Sequence, residues 1–210
     1  MIIKDIFQSH GFNNITAFSG SDISDDLIKR CLNLDKVFYE DEFLFGSFDI
    51  TQTIKQNSQM CFILLDDEKQ TIVGYTYWLP VKDNILTQYM DNKKTLLEVL
   101  PEYCTGFKTS PINLFNIGEA FVPGYDLLTL HKALEDLFQY HILCLAQMNI
   151  KISTICFDAV NKYDEKYLVA RTGLRYYEQK ENCKFYFDSY DPRRVFKESP
   201  YSQELMNYYN

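Results

Sequence analysis

Glu119 stands in the run INLFNIGEAFV, residues 112–122, among apolar neighbours. A carboxylate in such company has its charged form disfavoured, so its pKa rises toward the range that suits a general base at neutral pH. Strand alternation places Glu119 with Ile117 and Phe121, opposite Gly118 and Ala120. If that face is core, Glu119 is its odd member and a cleft residue; if it is solvent, Glu119 is an ordinary surface acid. The run ends at Pro123-Gly124, and a helical pattern follows from Asp126. The first turn of a helix points unpaired N–H groups outward, which makes it an anion site. The amides of Leu128, Thr129 and Leu130 occupy that place, with the Thr129 hydroxyl and the His131 imidazole beside them. Asp126 repels a phosphate there unless it serves as the N-cap and points away, a role worth on the order of 1 kcal/mol. His131 reads first as a polar residue near a helix start and second as an anion partner.

Other chemistry is poorly supplied. No G-x-S-x-G, H-E-x-x-H or G-x-x-x-x-G-K-[ST] pattern occurs, and His10, His131 and His141 are too scattered for a metal site. The six cysteines include no C-x-x-C pair, so structural zinc and iron–sulfur clusters are unsupported and a reducing, cytoplasmic setting is expected. His141 falls on an apolar helix face and reads as a satisfied core residue, while Asp66, Asp67 and Glu68 read as a solvated turn. A net charge of −8 argues against a grip on nucleic-acid phosphates. No apolar run approaches the roughly 18 residues of a membrane span, so no membrane partner is expected. Sixteen Tyr and sixteen Phe point to a core and a cleft rich in rings.

The elements that must position these groups follow from periodicity. Helices are predicted over Asp25–Phe38 and Thr51–Gln56, then a hairpin of strands 60–65 and 71–79 around DDEKQ. Residues 82–110 read as an insertion able to cover a cleft. A strand over 112–122, a helix from Asp126 to about Met148, a strand Lys151–Ala159 and a helix Tyr163–Arg171 come next, with Gly173 as helix stop. A last hairpin joins Leu174–Gln179 and Lys184–Tyr190, and residues 191–210 form a tail. A strand–helix–strand crossover beside a meander predicts an α+β (mixed α/β) fold, with one parallel pair in a mostly antiparallel sheet.

Three stretches resemble the GNAT N-acetyltransferase superfamily. FILLDDEKQTIVGYTYWLPV is similar to its second and third strands, and NIGEAFVPGYDLLTLHKAL to the strand and helix that hold the pyrophosphate of acetyl-CoA. STICFDAVNKYDEKYLVARTGLRYYEQ is similar to its fifth strand, fourth helix and sixth strand. The likeness spans about residues 20–190 and implies one domain over 1–190. The family loop usually reads V-x-P-E-Y-R-G-K-G-I-G-x-A-L. Pro123, Tyr125, Ala133 and Leu134 fit it, whereas Asp126 replaces the Arg or Gln, and Leu127, Thr129 and His131 replace the glycines. The resemblance implies acetyl-CoA as acyl donor, with no metal, and an amine of a small molecule or peptide as acceptor. It assigns the backbone of Phe121 and Val122 and the Asn161 side chain to the pantetheine arm, and Glu119 to the general base. The family's acid, a tyrosine, falls at Val169 here, so Tyr167, out of register, is the substitute. The lost glycines and the tyrosine register leave a second expectation open: a catalytically impaired GNAT-like binding or interaction module.

Overall fold

The computed structural model describes residues 2–38, 50–91, 103–108, 110–159, 165–180 and 183–209. Among the described residues, seven strands form one sheet in the order β1-β2-β3-β4-β5-β7-β6. They are β1 (Ile15–Phe18), β2 (Cys61–Asp66), β3 (Thr71–Val81), β4 (Ile112–Phe121), β5 (Ile152–Ala159), β6 (Arg175–Gln179) and β7 (Lys184–Ser189). Only β4 and β5 run parallel; every other neighbouring pair is antiparallel. The architecture is therefore α+β, as the crossover predicted. β2 is buried along its whole length and β3 nearly so, because both sheet faces are covered; such central strands read as continuous apolar runs.

One face carries α1 (Ile2–Ser9) and α5 (Leu127–Gln147); the other carries α2 (Asp25–Phe38), α3 (Ile50–Gln56) and α4 (Asp83–Met90). The predicted stripe on α5 is real: Leu130, Leu134, Leu137, Phe138 and Leu145 are buried against the sheet. His141 is held on that stripe by the Leu137 carbonyl (2.9 Å) and the Ser19 hydroxyl (3.2 Å), the satisfied state expected of it. α4, within the insertion, lays Leu86 and Tyr89 into the opposite core. The helix read over Tyr163–Arg171 begins outside the described residues; its described part is a π turn (Glu165–Val169) followed by the short α6 (Ala170–Thr172), and Gly173 ends it in the left-handed region.

Two elements had no counterpart in the sequence reading. α1 is two turns long, and β1 has four residues; both are too short for periodicity to mark, and both are fixed by tertiary contact, with Phe7 and Ile15 buried. Asp66 is a correction. It lies at the end of β2 with its side chain fully buried, not in solvent. Its carboxylate accepts bonds from the Tyr125 hydroxyl (2.6 Å), the amides of Glu68 and Lys69, and Asn14 Nδ2 (3.1 Å). These donors hold its pKa well below the usual carboxylate range.

The tail is docked. Val195, Phe196 and Leu205 of the last segment are buried, the last in α7 (Ser202–Leu205). Gln139 of α5 anchors it: Nε2 donates to the Val195 carbonyl (2.7 Å) and to Ser202 Oγ (3.1 Å), while Oε1 accepts from the Tyr190 hydroxyl. Gln139→Ala strands these buried partners, so it should lower stability by about 2–4 kcal/mol, read as a fall in urea midpoint.

Candidate functional site

β4 and β5 are paired from Ile112↔Ile152 to Asn116↔Phe157 and then separate. Beyond that point β4 follows β3 as far as Phe121, while β5 follows β7, with Asp158 opposite Phe185. The result is a wedge in the middle of the sheet. A β-bulge sits at its apex: Trp78 pairs with Asn116 and Tyr77 with Gly118, leaving Ile117 extra. The Asn116 carboxamide holds the bulge, donating to Thr76 Oγ1 (3.0 Å) and accepting the Gly118 N–H (3.1 Å). Nothing in the sequence reading singled out Asn116; its one signal is a polar residue inside an apolar strand.

The bulge overturns the predicted alternation. Ile117 packs in the core on the α2 side, whereas Phe121 packs on the α5 side, and Glu119 lines a cavity with the α5 residues His131, Leu134, Glu135 and Phe138. One inserted residue shifts every later side chain to the other face. Glu119 thus shares a face with Phe121 but not with Ile117.

This cavity, about 30 Å³ within, has room for a water or two. Glu119 Oε1 lies 3.9 Å from His131 Nδ1, beyond direct hydrogen bonding, with the two side chains 10% and 6% exposed. The Phe121 ring meets His131 edge-on at 4.8 Å. That ring fits only because residue 74 is glycine: a Cβ there would lie 2.1 Å from it. Burial, helped by the Arg171 charge, lowers the His131 pKa to about 4, so the imidazole is neutral at pH 7. Arg171 of α6 pairs with Glu135 through Nε and Nη2 (Nη2–Oε2 2.6 Å), and its Nη1 reaches the Leu128 carbonyl (3.5 Å). Burial pushes Glu135 up to about 7 against the pull of Arg171.

At the start of α5, Asp126 is the N-cap. Its carboxylate accepts the Thr129 N–H (3.3 Å) and hydroxyl (2.7 Å), and its carbonyl accepts the Leu130 N–H (2.9 Å). The Leu128 amide also acts on the carboxylate, lowering its pKa after the two larger effects of Thr129. Of the amides expected to face an anion, those of Leu128 and Thr129 therefore face the chain's own carboxylate, and that of Leu130 its own carbonyl. The Val122 N–H likewise donates to the Val73 carbonyl (2.8 Å), which turns the backbone of Phe121 and Glu119 toward the wedge. Across the sheet, Asp158 of β5 accepts the Tyr89 hydroxyl of α4, and burial raises it to about 6. Tyr167 falls in the π turn with its side chain outside the described residues, as is all of Asn161.

Solved structures with a similar fold are known. An agmatine N-acetyltransferase variant in its apo form is similar over 84% of this chain and 100% of that chain, at 13% identity and a TM-score of 0.52. The chain has the GNAT fold. Other GNAT-fold structures are also similar. A GNAT-family acetyltransferase from Listeria monocytogenes is 12% identical over 79% of this chain and 87% of that chain (TM-score 0.45). Arabidopsis thaliana NAA60 in complex with acetyl-CoA is 12% identical over 84% and 97% (TM-score 0.47). No protein-family model and no curated protein matches the sequence. Among the described residues, no helix is long and apolar enough to cross a membrane, and no group of three His, Cys, Asp or Glu is placed to hold a metal.

Two outcomes follow from this geometry. Asn116→Ala strands the Gly118 amide and the Thr76 hydroxyl, so it should cost about 1–3 kcal/mol in denaturant unfolding and alter amide-exchange protection along residues 116–121. His131 has a folded pKa below its ordinary 6.5, so the unfolded chain takes up that proton first. Relative to His131→Gln, the native chain should lose stability progressively as pH falls from 6.5 to about 4, by a total on the order of 3 kcal/mol.

Proposed function

We propose that the protein is an N-acyltransferase that moves an acyl group, acetyl from acetyl-CoA, to an amine of a small molecule or peptide. The observation that carries this reading is the wedge between β4 and β5, with Glu119 on its β4 side. An extended pantetheine arm adds to a free strand edge by main-chain hydrogen bonds, and the backbone of Glu119 and Phe121 offers such an edge. Asn161 would contact the same arm. The pyrophosphate would sit at the start of α5, against Leu128, Thr129, Leu130 and His131. Asp126 fits that end poorly, because its negative charge already occupies the first turn. Acetyl-CoA is therefore held chiefly by its arm, with a weakened phosphate grip.

In the reaction, the acceptor nitrogen forms a bond to the thioester carbonyl carbon and the C–S bond breaks. The amine gives up a proton to Glu119, through a water in the small cavity beside neutral His131. The departing thiolate takes a proton, a role we assign to Tyr167 as the sequence reading did. Proton transfer of this kind contributes roughly 10²–10⁴-fold to rate.

Saturating acetyl-CoA should raise stability by about 2.7 kcal/mol at a hundredfold excess over Kd. Asp126→Asn keeps a capping oxygen but removes the charge, so it should tighten acetyl-CoA several-fold with little loss of stability. Glu119→Gln should leave acetyl-CoA binding intact and lower turnover of an accepted amine by at least about a hundredfold. No thermal shift at millimolar acetyl-CoA would sink the enzyme reading; unchanged turnover in Glu119→Gln would remove Glu119 as the base.

A further inference from the structure

The cavity beside Glu119 is walled largely by rings, those of Phe62, Trp78, Phe138 and Phe196. Four ionisable groups share it: Glu119 on β4, His131 and Glu135 on α5, and Arg171 on α6. Arg171 is the one Lys or Arg among the described residues of that lining. A carboxylate in such surroundings loses hydration, which favours its neutral form and leaves less of the base. The imidazole offers no compensating charge, since His131 is neutral at pH 7.

The fold aims the cation. Leu128, His131 and Glu135 follow one another on α5 at steps of three and four, so they lie on one helix face. Arg171 spans that face: Nη1 reaches the Leu128 carbonyl (3.5 Å), while Nε and Nη2 grip Glu135 (Nη2–Oε2 2.6 Å). His131, between the two anchors, is the residue whose Nδ1 comes within 3.9 Å of Glu119 Oε1. The Arg171 charge is felt there, as the second cause, after burial, of the neutral imidazole. Other charges stand outside the lining. Asp136 pairs with His10 of α1 (2.8 Å), and Glu198 of the tail acts, as Asp136 does, on Glu135. β3 contributes Thr76, which carries no charge.

Resting on the acyl-transfer reading, we propose that Arg171 is a positioning residue whose charge, held at the cavity by Glu135, keeps Glu119 in its proton-accepting form. An opposite charge near a buried carboxylate stabilises the ionised state. In each cycle Glu119 takes the amine proton through the cavity water and becomes a neutral carboxyl, which must lose that proton before the next amine reacts. The guanidinium favours that loss as well.

The test compares two variants of the full chain that both lack the ion pair and differ in the cation: Glu135→Gln, and Glu135→Gln combined with Arg171→Gln. The double variant leaves neither charge of the pair stranded, and the native chain serves as a second reference for it. The Glu119 carboxyl is titrated by carbon-13 NMR of labelled glutamate, its signal assigned by its loss in Glu119→Gln. Its midpoint should lie about one pH unit or more higher in the double variant than in Glu135→Gln, and higher than in the native chain. Equal midpoints overturn the proposal. So does a midpoint that rises as far in Glu135→Gln as in the double variant, because lost fastening of α6 to α5 then accounts for the shift. The low-pH limb of kcat/KM for an accepted amine should move in the same direction by a similar amount. A shifted midpoint without acetyl-CoA binding retains the hold of Arg171 on Glu119 and rejects acyl transfer. Turnover whose low-pH limb is the same in all three proteins keeps acyl transfer and rejects the role of Arg171.

Discussion

The Asn116 carboxamide is a single side chain that satisfies a backbone amide two residues away and a hydroxyl on the neighbouring strand at once. In doing so it holds Ile117 out of the ladder. Because β4 is central, that local irregularity propagates in two directions. Toward β5 it ends the parallel pairing; toward the C-terminus of β4 it rotates the remaining side chains onto the other face. The wedge and the placement of Glu119 beside His131 both descend from it. β2 and β3 beside it are buried almost throughout, which gives the bulge a rigid frame to push against.

Charge around the wedge is arranged by self-capping. The start of α5 would attract any anion, and Asp126 meets that demand within the chain. Arg171 would be the natural cation for a phosphate, yet it is engaged with Glu135. The α5 side of the wedge is thus electrostatically balanced before any ligand arrives. What that side asks of a ligand is neutrality and backbone complementarity.

Much of this was legible in the sequence. The spacing of Leu130, Leu134, Leu137 and Leu145 fixes α5 and its buried face, and the cap role of Asp126 follows from its type and place. Gly173 marks its helix end because only a glycine takes that left-handed position cheaply. The face of Glu119 was not legible, since strand alternation assumes an unbroken ladder and Ile117 looks like any other strand isoleucine. Asp66 was misread for a related reason: in a run such as DDEK, composition says turn, and only the tertiary partners Tyr125 and Asn14 make one of those acids a buried hub. α1 and β1 depend on α5 and β2 for their existence, so no local pattern announces them.

The Asp66 hub ties the β2–β3 hairpin to the β4–α5 loop through Tyr125, and to the segment before β1 through Asn14. Lys69 closes the same knot from the hairpin, lying over the Tyr125 ring. Hairpin tips usually accept added or deleted residues without penalty. This one does not share that freedom: a change in its length would move Lys69 and the amides that hold Asp66, and with them the loop that leads into α5. Lineages carrying this fold variant should therefore vary in the length of residues 82–110 long before they vary between Asp66 and Thr71.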